Sequence, residues 1–305
     1  MTVGRFAPTP SGFLHPGNLA CALLAWLSAR AQGGRFLLRI EDLDRARSPK
    51  ALADAAIEAL QYLGLTWDET PVWQSQRTQA YAQAFSVLQA KGLVYPCFCT
   101  RAELHAAQAP NQGDAAPIYD RRCKHLSASE IEARARLRTP AMRLRVPDEI
   151  IRFEDGLQGV CEQDLARACG DFILRRSDGI YAYQLAVVLD DAASGVTEVV
   201  RGRDILESTP RQILLQRLLG LPTPHYVHIP LVTDSQGRRL SKREGDIALP
   251  ELARRYKREE ILGMLGAACG LLDEPRPATL PDLLSAFDWQ KVPREAAALP
   301  PSFTR

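Results

Sequence analysis

Three cysteines that lie close together in the chain have the spacing of candidate zinc ligands. Cys97 and Cys99 are separated by one residue, and Cys123 follows Cys99 by 24 positions. Zinc is held tetrahedrally by sulfur, nitrogen or oxygen ligands, and it stabilises segments that have little core of their own. The sequence leaves the fourth ligand open among four side chains, His105, Tyr119, Asp120 and His125. The alternative is three unconnected thiols in an irregular loop.

The stretch RFAPTPSGFLHPGN, from Arg5 to Asn18, has features of a nucleotide-binding loop. Apolar residues at helical spacing follow it over 19–32, so the loop leads into a helix N-terminus. Unpaired N–H groups and the helix dipole favour phosphate or carboxylate there. The prolines and glycines of the loop restrict its backbone to turns, which would hold His15 and Asn18 at the start of the helix. An ordinary Pro/Gly-rich turn is the alternative.

A second loop bounded by glycines, GRRLSKREG from Gly237 to Gly245, is strongly basic. Lys242 could stabilise the charge that develops on phosphates during phosphoryl or nucleotidyl transfer if this loop closes over them. A solvated turn is the alternative. The sequence contains neither a P-loop nor a dinucleotide-binding glycine pattern, so the hypothesis of a nucleotide site depends on the two loops together.

Charged residues follow two predicted strands. Glu41 and its acidic neighbours come after the strand 35–40, and Arg201 ends the strand 196–201. Ligands of open α/β sheets bind beyond the carboxyl ends of the strands, and an arginine there suits a carboxylate ligand. Tyr183 lies within a third strand-like run, over 180–189. The structural alternatives are a helix-capping acidic cluster and an ion pair of Arg201 with Asp204.

The elements that would position these residues alternate between strand and helix. The segments 48–63 and 75–91 have helical patterns, and this alternation predicts an α/β fold with a parallel sheet. From Tyr95 the chain becomes rich in Cys, Pro and polar residues, which indicates an insertion. Strands are predicted over 142–146, 150–154, 171–176 and 227–232, and a helix over 210–219. We therefore expect four segments: a first catalytic half (1–94), an insertion (95–170), a second catalytic half (171–246) and a small helical C-terminal region (247–305).

Composition places the chain among globular proteins. It has 305 residues, of which 46% are hydrophobic and 24% charged. The formal net charge of +2 neither requires nor excludes a nucleic-acid partner. No secretory signal and no apolar stretch of bilayer length is recognisable, so we expect a cytoplasmic protein without membrane contact. Seven cysteines, an odd number in a chain of this size, argue against a disulfide framework.

Five motifs in this order resemble the catalytic core of glutamyl-tRNA synthetases: RFAPTPSGFLHPGN, RIEDLD, the run Tyr183–Asp191, VVRGRDIL and RRLSKREG. The HIGH-like motif of these class I enzymes would be His15–Asn18, and the KMSKS-like motif Arg239–Arg243. The resemblance extends from Arg5 to Gly245 and implies a Rossmann-like parallel sheet. Only 60 residues follow Gly245, too few for a large anticodon-binding region. With its Cys-x-Cys…Tyr-x-x-x-Cys insertion, the chain is similar to the glutamyl-queuosine tRNA(Asp) synthetases.

The resemblance implies an activity, a set of site residues and a set of partners. The implied activity is activation of L-glutamate with Mg-ATP to glutamyl-adenylate, then transfer of glutamate to the queuosine base in the anticodon of tRNA(Asp). Glutamate would be bound by Arg5, Phe6, Ala7, Pro8, Thr9, Glu41, Tyr183 and Arg201. Within this set, Glu41 would contact the α-amino group and Arg201 the side-chain carboxylate. ATP would be bound by His15, Gly17, Asn18 and Lys242, of which His15, Asn18 and Lys242 are the implied catalytic residues. Structural zinc would be held by Cys97, Cys99, Tyr119 and Cys123, and the enzyme is expected to be a monomer.

Three other functions are compatible with parts of this pattern. They are a minimal glutamyl-tRNA synthetase charging tRNA(Glu), a non-catalytic zinc-containing RNA-binding paralogue, and an adenylate-forming ligase for small molecules. Two basic runs are candidates for RNA phosphate contacts, with solvated helix faces as the alternative. The first consists of Arg134, Arg136, Arg138, Arg143 and Arg145, and the second of Arg254, Arg255, Lys257 and Arg258.

Overall fold

The first third of the chain forms the beginning of a parallel sheet covered by helices. The computed structural model describes residues 1–100, 102–103, 118–233 and 248–299, and all structural statements concern these residues. β1 pairs in parallel with β2, and β2 pairs in parallel with β3. The predicted α/β alternation is confirmed. The elements are β1 (Val3–Phe6), α1 (Pro16–Ala31), β2 (Arg35–Ile40), α2 (Lys50–Leu63), β3 (Val72–Trp73) and α3 (Thr78–Ala90).

An antiparallel sheet and a hairpin follow. β4, β5 and β8 form one antiparallel sheet, while β6 and β7 form a hairpin whose first strand also pairs in parallel with β10 (His225–Ile229). These pairings cross the predicted boundary at residue 170, and the four-segment division stays a prediction. The elements are β4 (Val94–Cys97), α4 (Ala128–Leu137), β5 (Ala141–Leu144), β6 (Ile150–Asp155), β7 (Gly159–Asp164), the short helix α5 (Leu165–Ala168) and β8 (Ile173–Arg175).

The parallel arrangement resumes after β8. β10 pairs in parallel with β9, and β9 lies beside β1, where Thr197 N donates to the Val3 carbonyl over 3.0 Å. The strands on both sides of this contact therefore contribute to one layer. The remaining elements of this part are α6 (Tyr183–Ala193), β9 (Glu198–Gly202), a 3-10 helix (Arg203–Ser208), α7 (Thr209–Leu219) and β11 (Val232–Thr233).

One predicted strand is wrong. Residues 180–189 were expected to be extended, but the structure has a helix from Tyr183 to Ala193. Before that helix, Tyr181 continues the antiparallel pattern through an isolated bridge to Arg175. Tyr-Ala-Tyr alternates in the sequence like a strand, whereas the buried Leu185 and Val188 have helical spacing. Short apolar runs do not distinguish the two periods. Tyr183 therefore stands at the N-terminus of a helix rather than within a strand.

The C-terminal region is helical, as predicted, and packs onto the first half of the sheet. Ile261, Leu262 and Leu265 lie in the same hydrophobic core as Leu19 and Phe36. Among the described helices, none combines the length and hydrophobicity needed to cross a membrane. The elements are α8 (Leu249–Arg255), α9 (Arg258–Ala268), α10 (Leu280–Ala286) and β12 (Ala297–Ala298), which pairs with β11.

Candidate active site

A cavity of about 490 Å³ lies at the carboxyl ends of the parallel strands. Residues that follow β1, β2, β9 and β10 line it, in agreement with the expected position of ligands in open α/β sheets. Lys242 and the rest of the KMSKS-like loop lie outside the described residues. The other residues expected to bind glutamate and ATP are brought together in this cavity: Arg5, Phe6, Ala7, Pro8, Thr9, His15, Gly17, Asn18, Glu41, Tyr183 and Arg201.

The HIGH-like motif forms the N-terminal cap of α1. His15 Nδ1 accepts a hydrogen bond from Gly17 N over 3.1 Å, and the Asn18 side chain accepts one from His15 N over 3.3 Å. Because Nδ1 acts as an acceptor, the neutral imidazole carries its proton on Nε2. The structure therefore fixes the tautomer of His15 as one with an Nε2 donor, at the positive end of a 16-residue helix.

Arg201 is buried, and the side chains that accept hydrogen bonds from its guanidinium carry no charge. Nε donates to His228 over 2.9 Å, Nη1 to Gln212 over 2.8 Å, and Nη2 to Thr209 over 2.7 Å. The contact of Nη1 with the Tyr183 hydroxyl is longer, 3.4 Å. Three of the five guanidinium N–H donors are therefore bonded within the described chain. The second N–H of Nη1 has only the long contact with Tyr183, and the second N–H of Nη2 has no partner within the described chain. A planar pair of donors of this kind matches the two oxygens of a carboxylate.

His228 and Asp155 stand behind Arg201. His228 is completely buried, and its Nδ1 lies 2.5 Å from Asp155 Oδ2. Burial lowers the pKa of His228 below its ordinary value, which favours a neutral ring. Burial alone would raise the pKa of Asp155, but hydrogen bonds from His228 and Gln158 bring it below the usual range. The proton therefore lies on His228 Nδ1, and Nε2 is the acceptor for Arg201.

Two further buried arginines share one carboxylate. Asp191 Oδ1 lies 3.3 Å from Arg5 Nε and 2.5 Å from Arg39 Nη1. Burial would raise the pKa of Asp191, yet the two arginines hold it below its ordinary value. Arg39 also contacts Glu41, at 3.3 Å. This buried network fixes the ends of β1, β2 and α6 relative to one another.

Glu41 is the acid after β2 that lines the cavity. It is 8% exposed, and the Thr9 hydroxyl lies 3.4 Å from its carboxylate. Burial raises the pKa of Glu41 above its ordinary value, although Arg39 and Arg5 oppose the shift. A buried acid that faces a cavity is suited to bind a cation.

The two other acids after β2 have partners within the fold. Asp42 accepts from the backbone N–H and the hydroxyl of Ser75. Asp44 pairs with Arg176 at 2.9 Å. The acidic cluster of the sequence thus divides into one carboxylate at the cavity and two that hold neighbouring segments in place.

The three cysteine sulfurs expected to bind zinc lie within 4.8 Å of one another. Cys99 and Cys123 are separated by 3.6 Å, close to the roughly 3.8 Å between sulfurs that a tetrahedral ion with Zn–S bonds of about 2.3 Å requires. The Tyr119 hydroxyl accepts a hydrogen bond from Cys123 N over 3.0 Å and lies beside Cys97. The geometry fits a zinc ion with three sulfur ligands and one oxygen ligand.

The other candidates for the fourth ligand are less well placed. His125 is exposed, and Asp120 forms a salt bridge with Arg122 at the surface. His105 lies outside the described residues. Tyr119, by contrast, is 3% exposed and shares a small separate core with Tyr95, Cys97 and Cys123.

Part of the first basic run is structural. Arg143 is buried, its guanidinium lies 3.7 Å from the centre of the Tyr119 ring, and it donates to the Asp171 carbonyl over 2.7 Å. Arg145 packs over the Tyr95 ring at 4.7 Å. RNA contact by Arg143 is therefore not available in this fold.

Other members of the two basic runs have acidic partners on their own helices. Arg136 pairs with Glu132 on α4. In the second run, Arg255 and Arg258 also have glutamate partners. These contacts are those of solvated helix faces, and a role of the runs in RNA binding stays a prediction.

Comparison with known proteins places the chain in a family. Residues 1–265 match the family of class I tRNA synthetases (E and Q), catalytic domain. A glutamyl-Q tRNA(Asp) synthetase of Symbiobacterium thermophilum is 47% identical, with 98% of this chain and 96% of that protein covered. The chain belongs to the glutamyl-Q tRNA(Asp) synthetase family. Its relative from Neisseria meningitidis serogroup B is 44% identical, over 98% of this chain and 100% of that protein.

A solved structure supports the fold of this family member. The glutamate tRNA ligase of Elizabethkingia meningosepticum, crystallised in complex with its amino acid, superposes with a TM-score of 0.84 at 25% identity. The match covers 99% of this chain and 67% of that one. The α/β class I synthetase fold predicted from the motifs is thereby confirmed.

The sequence does not reveal the residues that contact the cavity lining without lining the cavity themselves. Asp191 and Arg39 both lie in motifs that the sequence analysis quotes, but neither receives a role there. Asp155 and His228 had no local signal at all. They are 73 positions apart and meet only through the pairing of β6 with β10.

Proposed function

We propose that this chain activates L-glutamate with Mg-ATP and transfers the glutamyl group to the queuosine base in the anticodon of tRNA(Asp). Relatives of the chain are named glutamyl-Q tRNA(Asp) synthetases. Membership of the class I tRNA synthetase family makes the chain a ligase-type enzyme. The observation that carries the proposal is the cavity itself. Its lining includes Arg201, with two available N–H donors, and the buried carboxylate of Glu41, as an amino acid with an acidic side chain requires.

Glutamate is bound through its three charged groups. The side-chain carboxylate accepts the two remaining N–H donors of Arg201, and Tyr183 adds its hydroxyl beside them. The α-ammonium group pairs with Glu41. Arg5 and residues 6–9 complete the walls of the cavity near the α-carboxylate. A neutral glutamine side chain would leave the Arg201 charge without an anion in a buried site, which penalises the wrong amino acid.

ATP lies at the N-terminus of α1, next to the glutamate. The Nε2 donor of His15, the Asn18 side chain and the backbone at Gly17 contact the phosphates, with the helix dipole adding positive potential. Lys242 of the KMSKS-like loop adds its charge. The α-carboxylate of glutamate attacks the α-phosphate, the bond to the β-phosphate oxygen breaks, and pyrophosphate leaves. The protein contributes positioning and charge stabilisation, and no covalent intermediate with a side chain is needed.

Zinc has a structural role in this proposal. Cys97, Cys99 and Cys123 supply thiolates and Tyr119 supplies its oxygen. The ion would stabilise a core whose four described buried residues bury little apolar surface by themselves. We further propose that the enzyme works as a monomer in the cytoplasm.

Transfer of labelled glutamate tests the function. The purified chain is incubated with ATP and labelled glutamate, and with tRNA(Asp) that contains or lacks queuosine. Each tRNA is used both with an intact 3′ end and with a terminal 2′,3′-dideoxyribose, which cannot accept an acyl group. The proposal expects label on tRNA(Asp) with queuosine, independent of an intact 3′ end, and none on the tRNA that lacks queuosine.

A minimal glutamyl-tRNA synthetase is the second candidate, because it would use the same cavity. When tRNA(Glu) is tested as the acceptor under the same conditions, this enzyme would attach label to its 3′ end, and the dideoxy terminus would abolish the transfer. That outcome would replace the proposed acceptor but keep the glutamate site. A non-catalytic RNA-binding paralogue would fail to exchange labelled pyrophosphate into ATP with glutamate present.

A further inference from the structure

The contacts of Arg201 include an aromatic nitrogen acceptor, which is an unusual partner for a buried guanidinium. His228 Nε2 accepts from Arg201 Nε over 2.9 Å and also lies 3.1 Å from the Thr209 hydroxyl. A histidine nitrogen can accept only when it carries no proton. The orientation of Arg201 thus depends on which nitrogen of His228 is protonated.

The contacts of Asp155 determine which nitrogen of His228 carries the proton. Its Oδ1 accepts three backbone N–H groups, from Leu157, Gln158 and His228, over 2.9–3.1 Å. These donors leave Oδ2 facing His228 Nδ1 at 2.5 Å. A carboxylate oxygen can only accept, so Nδ1 must be the protonated nitrogen and Nε2 the acceptor.

We infer that Asp155 and His228 are positioning residues for glutamate recognition, because together they hold the Arg201 guanidinium with its two remaining N–H donors towards the glutamate side chain. Neither residue lines the cavity, so both act through Arg201. Gln212 and Thr209 complete the arrangement at the two terminal nitrogens. This inference rests on the proposed function, specifically on Arg201 as the site of the side-chain carboxylate.

The arrangement also explains how Arg201 can be buried and still bind an anion. Each of its hydrogen-bond acceptors in the described chain is neutral, so none neutralises the guanidinium by direct contact. The imidazole of His228 separates the Asp155 carboxylate from the guanidinium. Had a carboxylate taken the position of His228, it would compete with the substrate for the same charge. A neutral imidazole orients the guanidinium without that competition.

Asp155→Asn is the most informative substitution. The amide oxygen must stay at the position of Oδ1, where three N–H donors need an acceptor, so the NH₂ group faces His228 Nδ1. Nδ1 then has to accept, the proton moves to Nε2, and this N–H meets the N–H of Arg201 Nε. Two donors cannot bond each other, and Arg201 has to turn away.

Two substitutions at His228 separate its two contacts. Glutamine places its side-chain oxygen about where Nε2 lies and can still accept from Arg201, although it loses Asp155. Asparagine reaches only as far as Nδ1, so it can keep Asp155 but not Arg201. The inference expects His228→Gln to retain glutamate recognition and His228→Asn to lose it.

The measurement is glutamate-dependent pyrophosphate exchange, with KM determined separately for glutamate and ATP. We expect Asp155→Asn and His228→Asn to raise KM for glutamate about tenfold or more, with KM for ATP unchanged. His228→Gln should stay within about threefold of the original protein. Selectivity for glutamate over glutamine should fall in the first two variants only.

The control for a merely structural effect is Asp171→Asn. Asp171 is also completely buried, and it accepts from Tyr95 and from Val146 N, beside the antiparallel sheet rather than behind Arg201. Its substitution should lower the melting temperature without changing KM for glutamate. If Asp155→Asn has the same effect as this control, the inference is overturned. It is also overturned if His228→Asn and His228→Gln behave alike.

The variant Arg201→Gln distinguishes a failure of the positioning role from a failure of the proposed glutamate site. If this variant keeps the KM for glutamate of the original protein, the proposed glutamate site is wrong, and the positioning role is wrong with it. If Arg201→Gln loses glutamate recognition while Asp155→Asn keeps it, the site stands and only the positioning role is refuted.

Discussion

In the proposed function the buried carboxylate of Glu41 is the counter-charge for the ammonium group of the substrate. Burial disfavours its charged form, as its raised pKa shows, and Arg39 offsets part of that penalty through a contact of 3.3 Å. The ammonium group of a bound amino acid would offset the remainder. At the scale of the residue, the proposed ligand therefore supplies positive charge that the buried Glu41 carboxylate only partly receives from Arg39.

Substitution of Glu41 by glutamine tests this role. We expect KM for glutamate to rise roughly 10- to 100-fold, because a charge-assisted hydrogen bond is lost, while KM for ATP stays the same. Pyrophosphate exchange with each substrate varied in turn measures both constants. An unchanged KM for glutamate in this variant would refute the assignment.

The pH dependence of glutamate binding provides a second test of the same carboxylate. Because the pKa of Glu41 is raised, its neutral form persists to higher pH than in an ordinary glutamate. On acidification, KM for glutamate in the original protein should therefore begin to rise at a pH above the ordinary pKa of a glutamate side chain. Glu41→Gln should lack this component. Identical pH profiles of KM in the two proteins would show that another group causes the dependence.

At the scale of the element, helices and strands with a clear hydrophobic period could be predicted from the sequence, whereas side-chain networks could not. α1 and β2 were predicted within about three residues, because fully buried apolar positions repeat at helical or strand spacing. α6 was missed, since its apolar run is short and begins with an alternating Tyr-Ala-Tyr. The cavity walls from β1 and β2 were predictable from motifs. Asp155 and His228 were not, because only the pairing of β6 with β10 brings them behind Arg201.

The fourth ligand of the cysteine cluster after β4 can be tested by a pair of substitutions. Tyr119→Phe removes the hydroxyl beside Cys97 and Cys123 and should weaken zinc binding, whereas His125→Ala should not, because His125 is exposed. Competition with a chromogenic chelator measures the affinity of each variant. Loss of zinc from His125→Ala alone would reverse the assignment.

Removal of zinc should increase hydrogen exchange first in the small core of Tyr95, Cys97, Tyr119 and Cys123 and leave β1 and β2 protected.

The packing of α9 gives a matched pair of glycine substitutions. A Cβ at Gly263 would overlap the Arg276 carbonyl oxygen, whereas one at Gly266 would meet the ends of the Leu283 and Leu272 side chains. A backbone carbonyl cannot rotate away as a leucine methyl group can. We expect Gly263→Ala to destabilise the protein by about 2 kcal/mol or more and Gly266→Ala by about 1 kcal/mol. Thermal or urea unfolding measures the difference, and equal stability of the two variants would contradict this account of the packing.

At the scale of the whole molecule, the family motifs and the folding unit do not end at the same place. The last motif residue is Gly245, yet the main hydrophobic core continues into α9 and α10. Ile261, Leu262 and Leu265 of α9 are buried in the core that also contains residues of α1 and α2. The C-terminal helices thus pack onto the helix whose N-terminus carries the HIGH-like motif. They belong to the catalytic unit physically although they carry none of its motifs.

A chain shortened to residues 1–247 tests this dependence. It retains all five motifs, but it would expose the part of the core that α9 and α10 cover. Burial of each large aliphatic side chain contributes about 1.5–3 kcal/mol, and the net stability of a domain is only about 5–15 kcal/mol. Loss of the three side chains from α9 alone is therefore comparable with the whole net stability.

We expect the shortened chain to lose cooperative thermal unfolding and glutamate-dependent pyrophosphate exchange, whereas the full chain retains both. Calorimetry and the exchange assay on the two chains, purified in parallel, measure these properties. Because exchange needs a folded cavity but no tRNA, its loss would report on the catalytic unit itself and not on recognition of the acceptor. A shortened chain that unfolds cooperatively near the melting temperature of the full protein, and still activates glutamate, would show that the first 247 residues form an independent catalytic unit.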